Sequence, residues 1–193
     1  MSLATEDVLV QRACKGDKEA FSELIQLYQD RIFNTLYRMS GSLDEAEESA
    51  QEAFIKAYQS IGRFKQESQF STWLYRIAVN TFLTRMRKVE SRKKLGGVSL
   101  DAEIAEDTGM VAMIASPHSE DPALTATRKE TKVVVQRAIS SLEDDFRSVV
   151  VLRDIEGRGY AEIAEILEIS ISAVKARLTR ARLKLATFLK DVV

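Results

Sequence analysis

Cysteine and histidine are almost absent from this chain: Cys14 is the single thiol and His118 the single imidazole. One cysteine excludes an internal disulfide, and one cysteine with one distant histidine excludes the multi-ligand spacing of a zinc site. A reducing compartment fits that usage. No glycine-rich phosphate loop and no nucleophile paired with a base is present, so neither an enzymatic reaction nor a cofactor is expected. No apolar run approaches the roughly 20 residues needed to cross a bilayer, and no charged-then-apolar leader opens the chain. A cytoplasmic protein without membrane insertion is expected. Proline and glycine are also scarce, and they are concentrated: Pro117 and Pro122, with Gly96, Gly97 and Gly109, all lie between Lys93 and Thr127. That stretch has little periodicity and predicts a flexible linker rather than a folded unit.

Charge of one sign is lacking overall, since 28 Lys and Arg face 29 Asp and Glu for a net charge of −1. The charges are nevertheless segregated. Arg85, Arg87, Lys88, Arg92, Lys93 and Lys94 stand against Glu90 alone, whereas Asp101 to Ala126 carries six acids (Asp101, Glu103, Glu106, Asp107, Glu120, Asp121) and no Lys or Arg. Blocks of this kind mark separate tasks. At 193 residues and 45% apolar composition the chain can bury one core or two small ones, and the linker favours two.

The stretch from Tyr160 to Leu189 has the pattern of a helix-turn-helix. Tyr160 to Leu167 predicts a first helix that buries Ile163, Ile166 and Leu167, with Ala164 small enough for a close helix crossing. At about 100° per residue, Val174, Leu178, Ala181, Leu185 and Phe188 fall within about 40° of one line and form a buried stripe. The opposite face carries Ser172, Lys175, Ala176, Thr179 and Arg180, flanked by Arg177, Arg182 and Lys184, and no acid occurs from Ser170 to Lys190. A one-signed basic face behind a short helix points to duplex DNA, with the central residues toward bases and the flanking ones toward phosphates.

The first half predicts helices over Glu6 to Lys15, Asp17 to Met39, Asp44 to Ile61 and Ser71 to Arg92, broken at Gly16-Asp17, Ser40-Gly41-Ser42 and Gly62. Ser42 and Glu45 have capping-box spacing. Leu24, Leu27, Tyr28, Ile32, Leu36 and Met39 predict the core stripe of the second helix; Phe54, Ile55, Tyr58 and Ile61 predict that of the third. After the linker, helices resume over Arg128 to Leu142 and Asp144 to Ile155. The expected fold is all-α, two helical domains joined by a flexible linker: residues 5–92, a linker at 93–127, and a four-helix domain at 128–193.

Phe64 to Lys88 interleaves aromatics with bases, as proteins that hold unstacked nucleotides do. On its helix Leu74, Ile77, Ala78 and Thr81 share one side, and Arg76, Asn80 and Arg87 lie within about 40° of each other on the opposite side. An exposed asparagine between arginines offers donor and acceptor to a base edge while its neighbours take phosphates. Trp73 is better read as a core residue.

QEAFIKAY (Gln51 to Tyr58), FSTWLYRIAVN (Phe70 to Asn80), an acidic linker and a terminal VKARLTRAR (Val174 to Arg182) occur in that order. The arrangement, over about residues 5 to 190, resembles the extracytoplasmic-function group of sigma factors. The resemblance implies a subunit of bacterial RNA polymerase that selects promoters and is not itself an enzyme. It implies that Asp44, Glu48, Gln51, Glu52, Ile55 and Lys56 contact core polymerase. It implies that Phe64, Lys65, Phe70, Arg76, Asn80, Thr84, Arg87 and Lys88 open and read the −10 element of promoter DNA. It further implies that Ser172, Lys175, Ala176, Arg177, Thr179, Arg180 and Arg182 serve the −35 element, that the linker threads the polymerase cleft, and that an anti-sigma factor is a partner. The chain departs from the family pattern at Ser49, Ala50 and Ala53, which are smaller than usual. Glu168 takes a turn position where glycine is common, at a cost of about 1 kcal/mol, and Arg158 replaces an apolar residue.

A free-standing helix-turn-helix regulator is the alternative, but it leaves the QEAFIKAY helix without a purpose. Catalysis has only His118 to offer, in a Ser-Pro-His-Ser setting where a solvated side chain is expected.

Overall fold

Helix ends in this chain are set by caps that the sequence carries. The structure, a computed structural model, describes residues 3–94 and 133–192. The linker, with Met110 to Ala115 and His118, lies outside the described residues. Helix α1 spans Leu3–Cys14, α2 Lys18–Ser40, α3 Leu43–Ser60 and α4 Phe70–Lys94; α5 covers 133–140, α6 Asp144–Val150, α7 Tyr160–Leu167 and α8 Ile171–Val192. Asp17 caps α2 by accepting from the amides of Glu19 and Ala20 at 3.0 and 3.1 Å. Gly41 ends it in the left-handed region (φ 73°), where a side chain would also sit 3.2 Å from Ser140 Oγ. Ser42 Oγ then accepts from Glu45 N at 3.4 Å to start α3. Every described element is helical, α6 running on through a π-helical turn at Val151–Ile155.

The core stripes are those expected, with two corrections. In α2, Leu24, Tyr28, Ile32, Leu36 and Met39 are buried, but Leu27 is 39% exposed. In α3 the buried residues are Ala46, Ser49, Ala50, Ala53 and Ala57, while Ile55 and Tyr58 are 57% and 46% exposed. The physical reason is spacing: residues 46, 50, 53 and 57 keep one helical face, and their small side chains let α2 and α4 approach closely along it. The larger apolar residues are turned off that seam. Trp73 and Phe70 are buried together with half-buried Phe64, ring centres 5.0 to 6.1 Å apart, so this aromatic cluster belongs to the core.

The second half docks on the first. A continuous cluster of buried residues runs from Leu24, Ile32 and Phe82 to Leu152, Ile163 and Leu178, and each such side chain contributes about 1.5–3 kcal/mol on burial. Arg147 of α6 reaches across to the carboxyl end of α2, donating from Nη1 to the Met39 carbonyl at 2.6 Å and from Nη2 to the Ser140 and Leu142 carbonyls at 2.8 and 2.6 Å. Gln136 adds a bond to the Arg38 carbonyl at 3.1 Å. These donors satisfy carbonyls that a helix terminus leaves open.

Candidate nucleic-acid interface

Three surfaces carry the residues singled out above. The first is α8. Its entry turn places Glu168 in the left-handed region (φ 55°, ψ 42°), and Ile169 N donates to Ala164 O at 3.0 Å. Ser170 Oγ then caps α8 by accepting from Ala173 N at 3.2 Å. Val174, Leu178 and Ala181 are buried and Leu185 and Phe188 half-buried, which turns Ser172, Lys175, Ala176, Thr179 and Arg180 outward. Thr179 Oγ1 donates back to the Lys175 carbonyl at 3.0 Å, and Lys175 Nζ lies 5.9 Å from the Tyr160 ring centre. Arg180 has no ion-pair partner among the described residues.

The flanking bases are not open charges. Arg177 pairs with Asp145 at 2.7 Å, Arg182 with Asp154 at 2.5 Å and Lys184 with Glu143 at 2.6 Å. The run from Ser170 to Lys190 is one-signed only along the chain; in space α6 and its π-helical turn line it with acids. Sequence reasoning missed these three carboxylates because nothing local links them to α8. Such exposed pairs are each worth about 0–1 kcal/mol, so a phosphate can displace the acid.

The second surface is α4 with the loop before it. Lys65, Thr84, Arg87 and Lys88 are exposed. Phe70 is 4% exposed and wedged against Tyr28 and Trp73, which removes it from the residues able to stack a base in this conformation. Asn80, expected to stand in solvent, is half-buried: its Nδ2 donates to the Ile166 carbonyl at 3.4 Å. Arg76 Nη1 lies 3.9 Å from Glu165. The side of α4 opposite its own core is thus covered by α7, because a long helix with two apolar or small-residue flanks can pack on both. The loop before it holds Gln66 at φ 56°, a strained position for a residue with a side chain.

The third surface is the outer side of α3. Asp44, Glu48, Gln51, Ile55 and Lys56 are exposed and Glu52 half-exposed. Lys56 pairs with Glu52 at 2.7 Å, holding that carboxyl below the usual carboxylate range, and donates to Thr81 Oγ1 at 3.2 Å. Arg85 of α4 sits among Glu45 at 3.5 Å, Glu52 at 3.7 Å and Glu48 in close contact. Glu45 Oε2, Ser49 Oγ and Arg85 Nε are buried without a hydrogen-bond partner. The result is a polar rim around the exposed Ile55 side chain.

No helix among the described residues is long and apolar enough to cross a membrane, and no group of three His, Cys, Asp or Glu among them could hold a metal ion.

Comparison with known proteins agrees with the motifs. Residues 24–92 match the family profile Sigma-70 region 2, and residues 132–185 match Sigma-70, region 4. The chain is 38% identical over 186 residues to the ECF RNA polymerase sigma factor SigW of Bacillus subtilis, covering 95% of this chain and 96% of that protein. It is 37% identical over 179 residues to the ECF RNA polymerase sigma-E factor of Escherichia coli K12, covering 92% and 91%. Its fold is similar to CnrH solved with the cytosolic domain of CnrY, with TM-score 0.66 and 21% identity over 97% of this chain and 98% of that one. It is also similar in fold to RpoE of Bartonella quintana solved with the anti-sigma factor NepR, with TM-score 0.64 and 24% identity over 88% and 96%.

Proposed function

The chain belongs to the extracytoplasmic-function group of RNA polymerase sigma factors, and from that premise we propose how its surfaces divide the work. As a sigma factor it binds core RNA polymerase and directs promoter-specific initiation; it is an initiation factor and carries no catalytic site. Residues 5–92 and 128–193 act as its two domains, with 93–127 as the linker.

The exposed face of α3 docks on polymerase. The exposure of Ile55, 57% on a helix whose neighbours Glu48, Gln51 and Lys56 are polar, carries that assignment. An isolated aliphatic side chain inside a polar rim has the anatomy of a binding hot spot. On α4 and the loop before it, Lys65, Arg76, Asn80, Thr84, Arg87 and Lys88 engage the −10 element: Asn80 supplies a paired donor and acceptor for one extruded base, and the cations track the backbone. On α8, Ser172, Lys175, Ala176, Thr179 and Arg180 face the −35 major groove, and Arg177 and Arg182 take phosphates by exchanging Asp145 and Asp154 for them. An anti-sigma factor is the regulatory partner, supported by a structure of similar fold that was solved with the anti-sigma factor NepR. The cytoplasm, where core polymerase works, is its location.

Reconstituted transcription tests this division. Core polymerase with this chain is expected to yield template-specific transcripts from a promoter library, and Ile55→Glu to abolish them by preventing holoenzyme assembly on a sizing column. Assembly of the Ile55→Glu protein at parent affinity would remove α3 as the docking face.

A further inference from the structure

Ala176 and Thr179 stand at the centre of the outward face of α8, and both are exposed. Residues three apart on a helix are neighbours, with Cβ atoms about 5–6 Å from each other. Ala176 has only a methyl group to offer. Thr179 could offer a hydroxyl, but its Oγ1 donates to the Lys175 carbonyl at 3.0 Å. That bond spends the hydroxyl proton and holds the oxygen back against the helix, and the two branches of a β-branched side chain cannot both point that way. The γ-methyl is therefore the group turned outward. Cations stand on either side: Lys175 precedes Ala176, and Arg180, exposed and without an ion pair among the described residues, follows Thr179. The centre of the face is a pair of methyl groups between two cations.

Each base presents a different edge in the major groove. Guanine and adenine need donors to pair with their N7 and O6 or N7 acceptors, and cytosine needs an acceptor for its amine, whereas thymine carries a methyl group at C5. We propose that Ala176 and Thr179 read thymine 5-methyl groups at neighbouring base pairs of the −35 element, with the polar contacts left to the cations beside them. This rests on the assignment of α8 to the −35 major groove and names what the centre of that face recognises. Base pairs rise about 3.4 Å, so two methyl groups about 5–6 Å apart reach neighbouring pairs. Burying one carbon changes affinity about fourfold (~0.8 kcal/mol), so the effect of each methyl is small but measurable.

The test uses the full chain bound to core polymerase. A −35 element is selected from duplex promoter fragments randomised over that element. Each of its thymines, on either strand, is then replaced singly by deoxyuridine, which pairs as thymine does and lacks only the 5-methyl group. The parent is expected to lose about fourfold in affinity at two neighbouring positions. Thr179→Ser, which keeps the hydroxyl and loses the methyl, is expected to bind thymine and uracil equally at one of them and to keep the difference at the other. Thr179→Val, which keeps the methyl and loses the hydroxyl, is expected to keep both differences. Ala176→Gly is expected to erase the difference at the second position. Glycine weakens a helix, so the serine and valine variants decide the outcome if that protein fails to fold. Equal affinity of the parent for thymine and uracil throughout overturns the methyl contact, as does a selected element without A·T pairs. A difference that survives in Thr179→Ser and vanishes in Thr179→Val overturns it in favour of the hydroxyl. Failure of the −35 assignment looks different: the selection returns no preferred sequence and Arg180→Ala binds as tightly as the parent, which overturns the placement of α8 and the methyl contact with it.

Discussion

The guanidinium of Arg182 and the carboxylate of Asp154 meet twice, at 2.5 and 3.2 Å, although 28 residues separate them in the chain. The pair occupies the edge of α8 where a phosphate would run, so the carboxylate competes with DNA for the arginine.

Asp154→Asn is therefore expected to raise affinity for every duplex alike and to steepen the salt dependence by about one unit in slope. Arg182→Ala is expected to lower affinity uniformly, and by less than an unpaired phosphate contact would. Arg180→Ala differs: with no ionic partner to lose, it is expected to cost about 1–3 kcal/mol on the preferred −35 sequence and to relax preference at one position. Anisotropy titrations of the holoenzyme on a set of duplexes at several salt concentrations check all three. Equal losses for Arg180→Ala and Arg182→Ala on every sequence would show that the outer face is misassigned.

Asn80→Ala is expected to cost less than about 1 kcal/mol of stability, because the bond to the Ile166 carbonyl is long and half-exposed. Open-complex formation is expected to fall, with altered tolerance at one −10 position. Permanganate footprinting across a promoter series, read beside a thermal melt, separates the outcomes: a large drop in Tm with unchanged base preference makes the amide structural.

Ser49→Ala is expected to stabilise the protein. Its hydroxyl is buried between α3 and its neighbours without a hydrogen-bond partner, and alanine removes that desolvation cost while favouring the helix. A gain of about 1 kcal/mol, or roughly 2–4 °C in Tm, is expected by calorimetry. A loss in Tm would mean that the hydroxyl is satisfied in solution.

Acid sensitivity should contain a contribution from Glu162. Burial pushes its carboxyl up, but the Gly159 amide at 2.8 Å and the Arg158 guanidinium more than offset this and hold it below the ordinary glutamate value. A carboxyl depressed in the folded state stabilises fully above its unfolded value of about 4.3 and loses that stabilisation as pH falls through the lower folded value. Glu162→Gln is expected to be less stable than the parent at neutral pH, with the gap closing below about pH 4. A gap that stays constant between neutral and acid pH would exclude linkage through this group.

Much of the architecture is legible locally. Asp17, Gly41 and Ser42 mark helix ends because a cap is a contact between residues two to four apart. The α8 stripe of Val174, Leu178 and Ala181 follows from helical period alone. In α3 the same rule misled, since Ile55 and Tyr58 outrank alanine in hydrophobicity but the alanine seam is where neighbouring helices come close. Hydrophobicity ranks residues; steric fit chooses the face.

The sequence by itself determined the helices, their order, the family and the groups of residues that can meet polymerase and DNA, because each depends on spacing along one chain. Which of those groups are free was decided by tertiary structure. Asp145 and Asp154 reach Arg177 and Arg182 only once α6 lies against α8, and Ile166 reaches Asn80 only once α7 lies on α4. Electrostatic and hydrogen-bond partners are chosen by distance in space, at 2.5 to 3.4 Å here, and sequence separation carries no information about that distance.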